Sequence, residues 1–274
     1  MNGLLTQPPP IGVQPPYVVG AVNWRGMGTL YLKEVRRFLK VHFQTISAPV
    51  ATTLLFLAVF ALALGRNATV AGGVPYLEFL GPGLIMMAMM QNAFANTSSS
   101  IIISKVQGNI VDVLMPPLGP VELTAGFALG GVTRGLLVGL AVGVPLVFIV
   151  NLHVANLGLV VFYAVNASLM LSLLGLVGGI WADKFDHIAA VTNFIVTPLS
   201  FLSGTFYSID RLPPVAQTFA QANPFFHLID GFRQGFTGHA DGNPWGGLAV
   251  VSAANLGPLA LAYLMFRKGY KLKA

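Results

Sequence analysis

The residues that could carry chemistry in this chain are few, and their spacing excludes most catalysis. None of the seven lysines is followed by Ser or Thr, so there is no G-x-x-x-x-G-K-[ST] loop to cradle phosphates. The five histidines (His42, His153, His187, His227, His239) are scattered, with no pair at i, i+4 and no H-E-x-x-H to hold a metal. No G-x-S-x-G nucleophile turn occurs, and with no cysteine, disulfides and thiolate sites are ruled out. Asp183, Asp186 and His187 are the candidate for a charged cluster at one interface, and a solvated loop with Lys184 explains it without chemistry. A membrane enzyme acting on lipid would have to use that group. The chain itself therefore reads as a non-enzyme, with no catalytic, cofactor-binding or metal residue.

Neutral polar residues are more suggestive. Gln91, Asn92, Asn96, Thr97 and the run Ser98 to Ser100 sit inside an otherwise apolar stretch. They suit hydrogen bonds between helices or the lining of a transport pathway, with Gln91, Asn92 and Asn96 the candidates for the second role. The nearby Met86, Met87, Met89 and Met90 suit adaptable packing. Gly131, Gly135, Gly139 and Gly143 recur every fourth residue, baring one helix face for close approach. Packing within one subunit and a dimer seam both satisfy that strip.

The elements that position these residues follow from composition. Of 274 residues 55% are hydrophobic and only 9% charged, with a mean hydropathy of +0.73. A soluble domain carries about 25% charged residues, so the expectation is an all-α polytopic membrane protein. About 20 apolar residues suffice for one crossing. Six stretches qualify, at about 46–64, 81–103, 134–151, 157–180, 188–209 and 245–266. As drawn, with Arg134 at the start of the third, no span carries a charge between its ends, which disfavours an ion-coupled carrier. Twelve of the fifteen Lys and Arg fall on the side of the two termini; Arg66, Arg211 and Arg233 fall on the other. The positive-inside rule then puts both ends in the cytoplasm. The net charge of +6 reflects this bias, and nucleic acid is not an expected partner.

Residues 1–22 read as a Pro-rich disordered tail, and 23–274 as one transmembrane domain. Lys33, Glu34, Arg36, Arg37 and Lys40 mark a basic amphipathic helix, with Tyr31, Val35, Phe38 and His42 opposite. Such a helix suits the membrane interface, its cations on anionic head groups, and could also meet a cytoplasmic partner. Between the fifth and sixth spans, 208–244 is too long for a turn and too broken to cross; it reads as an external re-entrant or interfacial cap. Finally, Ile110 to Met115 is a short apolar helix carrying Asp112, stopped by Pro116-Pro117.

That last segment carries a resemblance. Gly108 to Pro120, with Asp112-Val113-Leu114-Met115-Pro116-Pro117, resembles the coupling-helix region of ABC type-2 exporter permeases. Gly130 to Leu137 is similar to the family's third span, Lys33 to Phe38 to its N-terminal interfacial helix, and Asn223 to Arg233 to its external segment. The likeness covers about residues 25–270 and is closest to the small permeases without a fused ATPase. It implies a six-span subunit of a cell inner membrane exporter, paired with a second copy and with separate ABC ATPase subunits that bind ATP and Mg. Gly108, Ile110, Asp112, Leu114, Met115, Pro116 and Pro117 would then couple to the ATPase. Lipid, hydrophobic drug and lipid-linked glycan fit equally as cargo. The rival reading is an ion-coupled secondary transporter or channel.

Overall fold

The structure, a computed structural model, describes residues 20, 22–64, 69–70, 73–209, 212–239, 242 and 244–272. The Pro-rich segment 1–19 and the charges Arg66, Arg211 and Lys273 lie outside the described residues. Among the described residues all regular structure is helical: α1 Trp24–Leu39, α2 Ala48–Leu64, α3 Tyr76–Val106, α4 Ile110–Leu114, α5 Pro120–Val150, α6 Leu157–Trp181, α7 Phe185–Val191, α8 Thr197–Ser200, α9 Pro214–Ala222, α10 Pro224–Thr237 and α11 Pro244–Lys268. π-Helical turns at Phe43–Ser47, Thr192–Val196 and Phe201–Thr205 join the shorter pieces into continuous rods.

Five described helical segments are long and apolar enough to cross a membrane: Phe43–Ala63, Pro120–Val150, Leu157–Trp181, Phe185–Thr205 and Trp245–Lys268. The expected second span is absent from that set. Its helix, α3, has 31 residues, about 46 Å at 1.5 Å per residue. It is long enough, but its amide and hydroxyl run lowers its hydropathy. Burial inside the protein explains why it tolerates them: α3 is the central rod, packed against α5, α6 and α10. Met86, Met87, Met89 and Met90 are all buried there, filling the core as expected.

Packing around α3 relies on small residues and shared hydroxyls, as it must where lipid offers no hydrophobic contrast. A Cβ on Gly131 would stand 2.2 Å from Ser172 Oγ, one on Gly135 2.6 Å from Ser168 Oγ, and one on Gly139 2.4 Å from Met89 Sδ. The strip therefore faces α3 and α6 inside one subunit rather than forming a dimer seam. From the other side, a Cβ on Gly175 would lie 2.4 Å from Phe94 O. Thr97 Oγ1 donates to Ser172 O at 2.7 Å, and Ser172 Oγ donates to Ala128 O at 2.9 Å, stitching α3, α6 and α5.

Two expectations need correction. The third span does not begin at Arg134; α5 starts at Pro120, a proline at the first helical position where its missing N–H costs nothing. Arg134 thus lies fourteen residues into a 31-residue helix, so the spans do carry an internal charge, and without it the terminal side keeps eleven of the fifteen Lys and Arg. The segment 208–244 is not only a surface cap. Its second helix, α10, is buried between α3, α6 and α11, while α9 stays on the outside with Val215 and Phe219 exposed.

Candidate coupling face and polar seam

At one end of the bundle a cluster of Leu30, Ile110, Val113, Phe127, Phe266 and Leu272 gathers α1, α4, α5, α11 and the last described turn of the chain. Gly108 breaks α3 with φ +74°, a left-handed conformation that glycine adopts freely, and α4 follows after one residue. Ile110 and Val113 point into the cluster, and Leu114 packs at its edge. Val111, Asp112, Met115, Pro116 and Pro117 remain exposed, with Met115 at 77%. A five-residue helix is not stable alone. Here its inner face is anchored, so an apolar outer face is held out rigidly.

Helix α1 lies beside this motif. Asn23 Nδ2 donates to Pro117 O at 3.1 Å and its backbone N–H to Glu122 Oε1 at 3.1 Å, tying the start of α1 to the turn after α4. Between α1, the end of α3 and α4 lies a cavity of about 710 Å³, lined among others by Asn23, Lys33, Arg37, Ser100, Asp112 and Val113.

The basic helix differs from its expected form. Leu30, Glu34 and Phe38 make its buried face, seated on α5 through two further glycines. A Cβ on Gly126 would meet Leu30 Cδ2 at 2.8 Å, and one on Gly130 would meet Glu34 Cβ at 2.6 Å. Lys33, Arg36 and Lys40 are exposed as expected; His42, expected on the apolar face, is exposed too. Glu34 is not on the solvated face: it is fully buried. Arg37 turns inward with it. Its Nε and Nη2 donate to Glu34 Oε2 at 3.2 and 3.1 Å; Nη2 also donates to Asn96 O at 2.6 Å and Asn96 Oδ1 at 3.0 Å, and Nη1 to Ser99 Oγ at 3.2 Å. Ser100 Oγ donates to the other Glu34 oxygen at 2.7 Å. A buried carboxylate persists only with such full pairing.

One turn along α3, Arg134 of α5 donates from Nη2 to Asn92 Oδ1 at 2.9 Å. The candidate pathway residues thus divide. Asn92 and Asn96 join helices as hydrogen-bond partners, and Gln91 stays half-buried beside them. The Glu34–Arg37–Asn96 seam was only partly visible in the sequence. The i, i+3 spacing of Glu34 and Arg37 was a signal for the ion pair, but nothing local showed that the pair faces α3.

The Asp183 group resolves as a structural latch. Lys271 Nζ reaches Asp183 Oδ2 at 2.6 Å and Trp181 O at 3.1 Å, while Lys105 Nζ lies 3.6 Å from Asp183 Oδ1 and donates to Ile180 O and Ala182 O. Two ammonium groups thus satisfy the last carbonyls of α6, where helix ends leave acceptors unpaired. The hydrogen bond from Lys271 holds the Asp183 carboxyl below its ordinary range and lifts the Lys271 ammonium above its own; burial lowers Lys105 against the pull of Asp183. Asp186 takes no part in this pairing, and His187 joins only as an acceptor, its Nδ1 taking the Asp183 backbone N–H at 3.4 Å. Among the described residues no group of three or more His, Cys, Asp or Glu is arranged to hold a metal ion.

At the far end, Arg233 of α10 is buried. Nε donates to Phe79 O at 3.1 Å, Nη2 to Gly204 O at 2.6 Å, and the guanidinium lies 3.6 Å from the Phe79 ring centre. It holds the rod that ends at Gly204, φ +77°, against α3. Gly83 makes room, since a Cβ there would stand 2.7 Å from Thr205 O.

Known proteins resemble this chain in sequence. The family model described as ABC-2 type transporter matches residues 26–237. The chain is 38% identical over 218 residues to the inner membrane transport permease YadH of Escherichia coli strain K12, covering 80% of this chain and 85% of that one. It is 25% identical over 222 residues to nodulation protein J of Rhizobium leguminosarum bv. trifolii, covering 80% and 83%. Nodulation protein J of R. leguminosarum bv. viciae is 23% identical over 251 residues, covering 91% and 95%. A family match across most of the chain, a relative at this identity and several membrane-length helices together place the protein: it belongs to the ABC-2 type transporter family, as a multi-pass transmembrane permease subunit of an ABC transporter, a family that works with an ABC ATPase partner.

Proposed function

We propose that the chain is the permease of an ATP-driven exporter in the bacterial inner membrane, moving a hydrophobic or amphipathic molecule with energy from separate ATPase subunits. The relative described as an inner membrane transport permease supports the location. Counting α3, the chain crosses six times, with both termini cytoplasmic. Two copies and two ATPase subunits, which bind the ATP and Mg, complete the transporter.

The observation that carries this reading is α4. Val111, Asp112, Met115, Pro116 and Pro117 protrude from a helix whose inner face is fixed in the bundle core. A rigid apolar knob beside a cavity suits a partner that pushes. Gly108 supplies the bend, Leu114 seats the knob, and Lys33 of α1 lines the same cavity as Asp112. Closure of the ATPase pair would load α4, and α1 would carry the load along α5.

The test is ATPase stimulation in the reconstituted complex. Asp112→Arg is expected to reduce permease-dependent ATP hydrolysis several-fold while membrane insertion and melting temperature stay near wild type, because exposed substitutions cost within about 0.5 kcal/mol. Unchanged stimulation would remove the coupling role. Transport that survives ATP depletion and collapses with the proton gradient would favour an ion-coupled carrier instead.

A further inference from the structure

The polar seam is short of negative charge. It gathers two guanidinium groups, Arg37 and Arg134, against one carboxylate, Glu34. Glu34 is already saturated by Arg37 and Ser100, with Lys33 at 4.0 Å. Among the described residues no ion pair reaches Arg134, and the Arg37 charge works against it. Its one hydrogen bond goes to a neutral amide.

The unsatisfied atoms point the same way. Asn96 is fully buried, and its Nδ2 meets no acceptor; Arg134 Nε is sealed from solvent and meets none either. Both are donors, one from α3 and one from α5, a turn apart along the same seam. A buried cation near the middle of an apolar helix is costly, and it persists where function needs it. Gln91, Asn92, Ala95 and Arg134 keep partial exposure, so this part of the seam opens to the surface of the subunit.

We propose that Arg134, with Asn92 and Asn96, binds the oxyanion of a membrane amphiphile: a phosphate, sulfate or carboxylate head group whose apolar tail lies along the spans. The proposal rests on the reading of the chain as a membrane permease and gives its ligand a chemical class. Two orphan donors, one of them on a guanidinium with no carboxylate partner, match an acceptor-rich anion and would be wasted on a neutral glycan or hydrocarbon.

The test is binding by the full-length permease, without ATPase or ATP, so failure of the coupling reading cannot be mistaken for failure here. Native mass spectrometry compares retention of phosphatidic acid with diacylglycerol of the same chains. Wild type is expected to prefer the phosphate lipid by about tenfold or more, the worth of one charge-assisted hydrogen bond. Arg134→Gln is expected to lose the preference and Arg134→Lys to keep part of it. Asn92→Asp guards against misfolding, because it hands Arg134 a carboxylate in place; it is expected to melt no lower than wild type and still lose the preference. Equal retention of both lipids by wild type, or an intact preference in Asn92→Asp, overturns the proposal. Displacement by millimolar inorganic phosphate assigns the site to the oxyanion alone, and resistance assigns it to the amphiphile. With the ATPase restored in vesicles, ATP-driven movement of labelled phosphatidic acid marks cargo and its retention marks a resident lipid; the anion site stands in either case.

Discussion

Arg233 and Arg134 are both arginines enclosed by helices, and they are treated in opposite ways. Arg233 donates to two backbone carbonyls and stacks on Phe79, joining α10, α3 and the end of the rod Phe185–Thr205. Arg134 has one amide acceptor and an idle Nε. A buried charge that donates to backbone carbonyls of two other elements joins them; one with a single side-chain amide acceptor holds less together and has donor capacity to spare. The end around Arg233 is thus a clamp, and the seam around Arg134 is a receptive surface.

The sharpest way to break this contrast is Arg233→Ala. It strips Gly204 O of its charged donor and opens a gap beside Phe79, so a loss of about 3 kcal/mol is expected. Arg233→Lys is expected to recover little, since a single ammonium cannot fork to two carbonyls. Thermal unfolding in detergent measures both, and a wild-type melting curve for Arg233→Ala would refute the clamp.

Next in size is the glycine seam that seats α3 between the two regions. Gly131→Ala places a methyl 2.2 Å from Ser172 Oγ, whereas Gly143→Ala meets only Ile85 Cδ1 at 3.6 Å. The first is expected to cost about 1–3 kcal/mol through overpacking and the second almost nothing. Equal melting temperatures for the two variants would mean that the strip is not close-packed.

Arg134→Leu is expected to lie within about 1 kcal/mol of wild type, because removing a poorly paired buried charge also removes its desolvation penalty. A collapse as large as that of Arg233→Ala would erase the distinction between the two arginines.

The smallest effect belongs to the exposed latch. Asp183 titrates below its ordinary range because Lys271 donates to it, so its contribution is present above the unfolded carboxyl value and is lost as pH falls through the lower folded value. Lys271 is shifted upward, so its contribution is complete below the ordinary lysine value and is lost as pH rises through the higher folded one. The C-terminal turn is expected to hold from neutral to mildly basic pH and to loosen on acidification. Trp181, with Lys271 6.0 Å from its ring centre, reports this by fluorescence, and Lys271→Ala is expected to shrink the acid transition to the smaller share that Lys105 gives Asp183.

How much was legible varies by element. The fourth span, expected at 157–180, forms Leu157–Trp181, and the sixth, expected at 245–266, forms Trp245–Lys268, because an uninterrupted apolar run leaves a chain in lipid no choice but helix. The third span starts earlier than its charge pattern suggests, because Arg134 lies inside α5 and not at its edge. A charge marks a membrane edge only when nothing inside the bundle can accept its hydrogen bonds, and Asn92 does. The sign missed was Pro120 followed by the apolar and small residues Leu123 to Leu129, a helix opening rather than a loop. Asn223-Pro224 likewise marked the start of α10, with Asn223 Oδ1 accepting from Phe225 N at 3.0 Å, but nothing local said that α10 is buried.

The sequence by itself determined that this is a helical membrane protein without a phosphate loop, that its positive charge gathers beside its termini, and that a short apolar helix follows the second long one. These are properties of composition and local spacing, which solvent and backbone hydrogen bonding act on directly. Only the tertiary structure decided that Glu34 and Arg37 face inward, that the glycine strip packs within the subunit, and that Arg134 is left with a single amide acceptor. Those outcomes depend on which distant residue supplies the acceptor, and a buried charge is stable or reactive according to that partner alone.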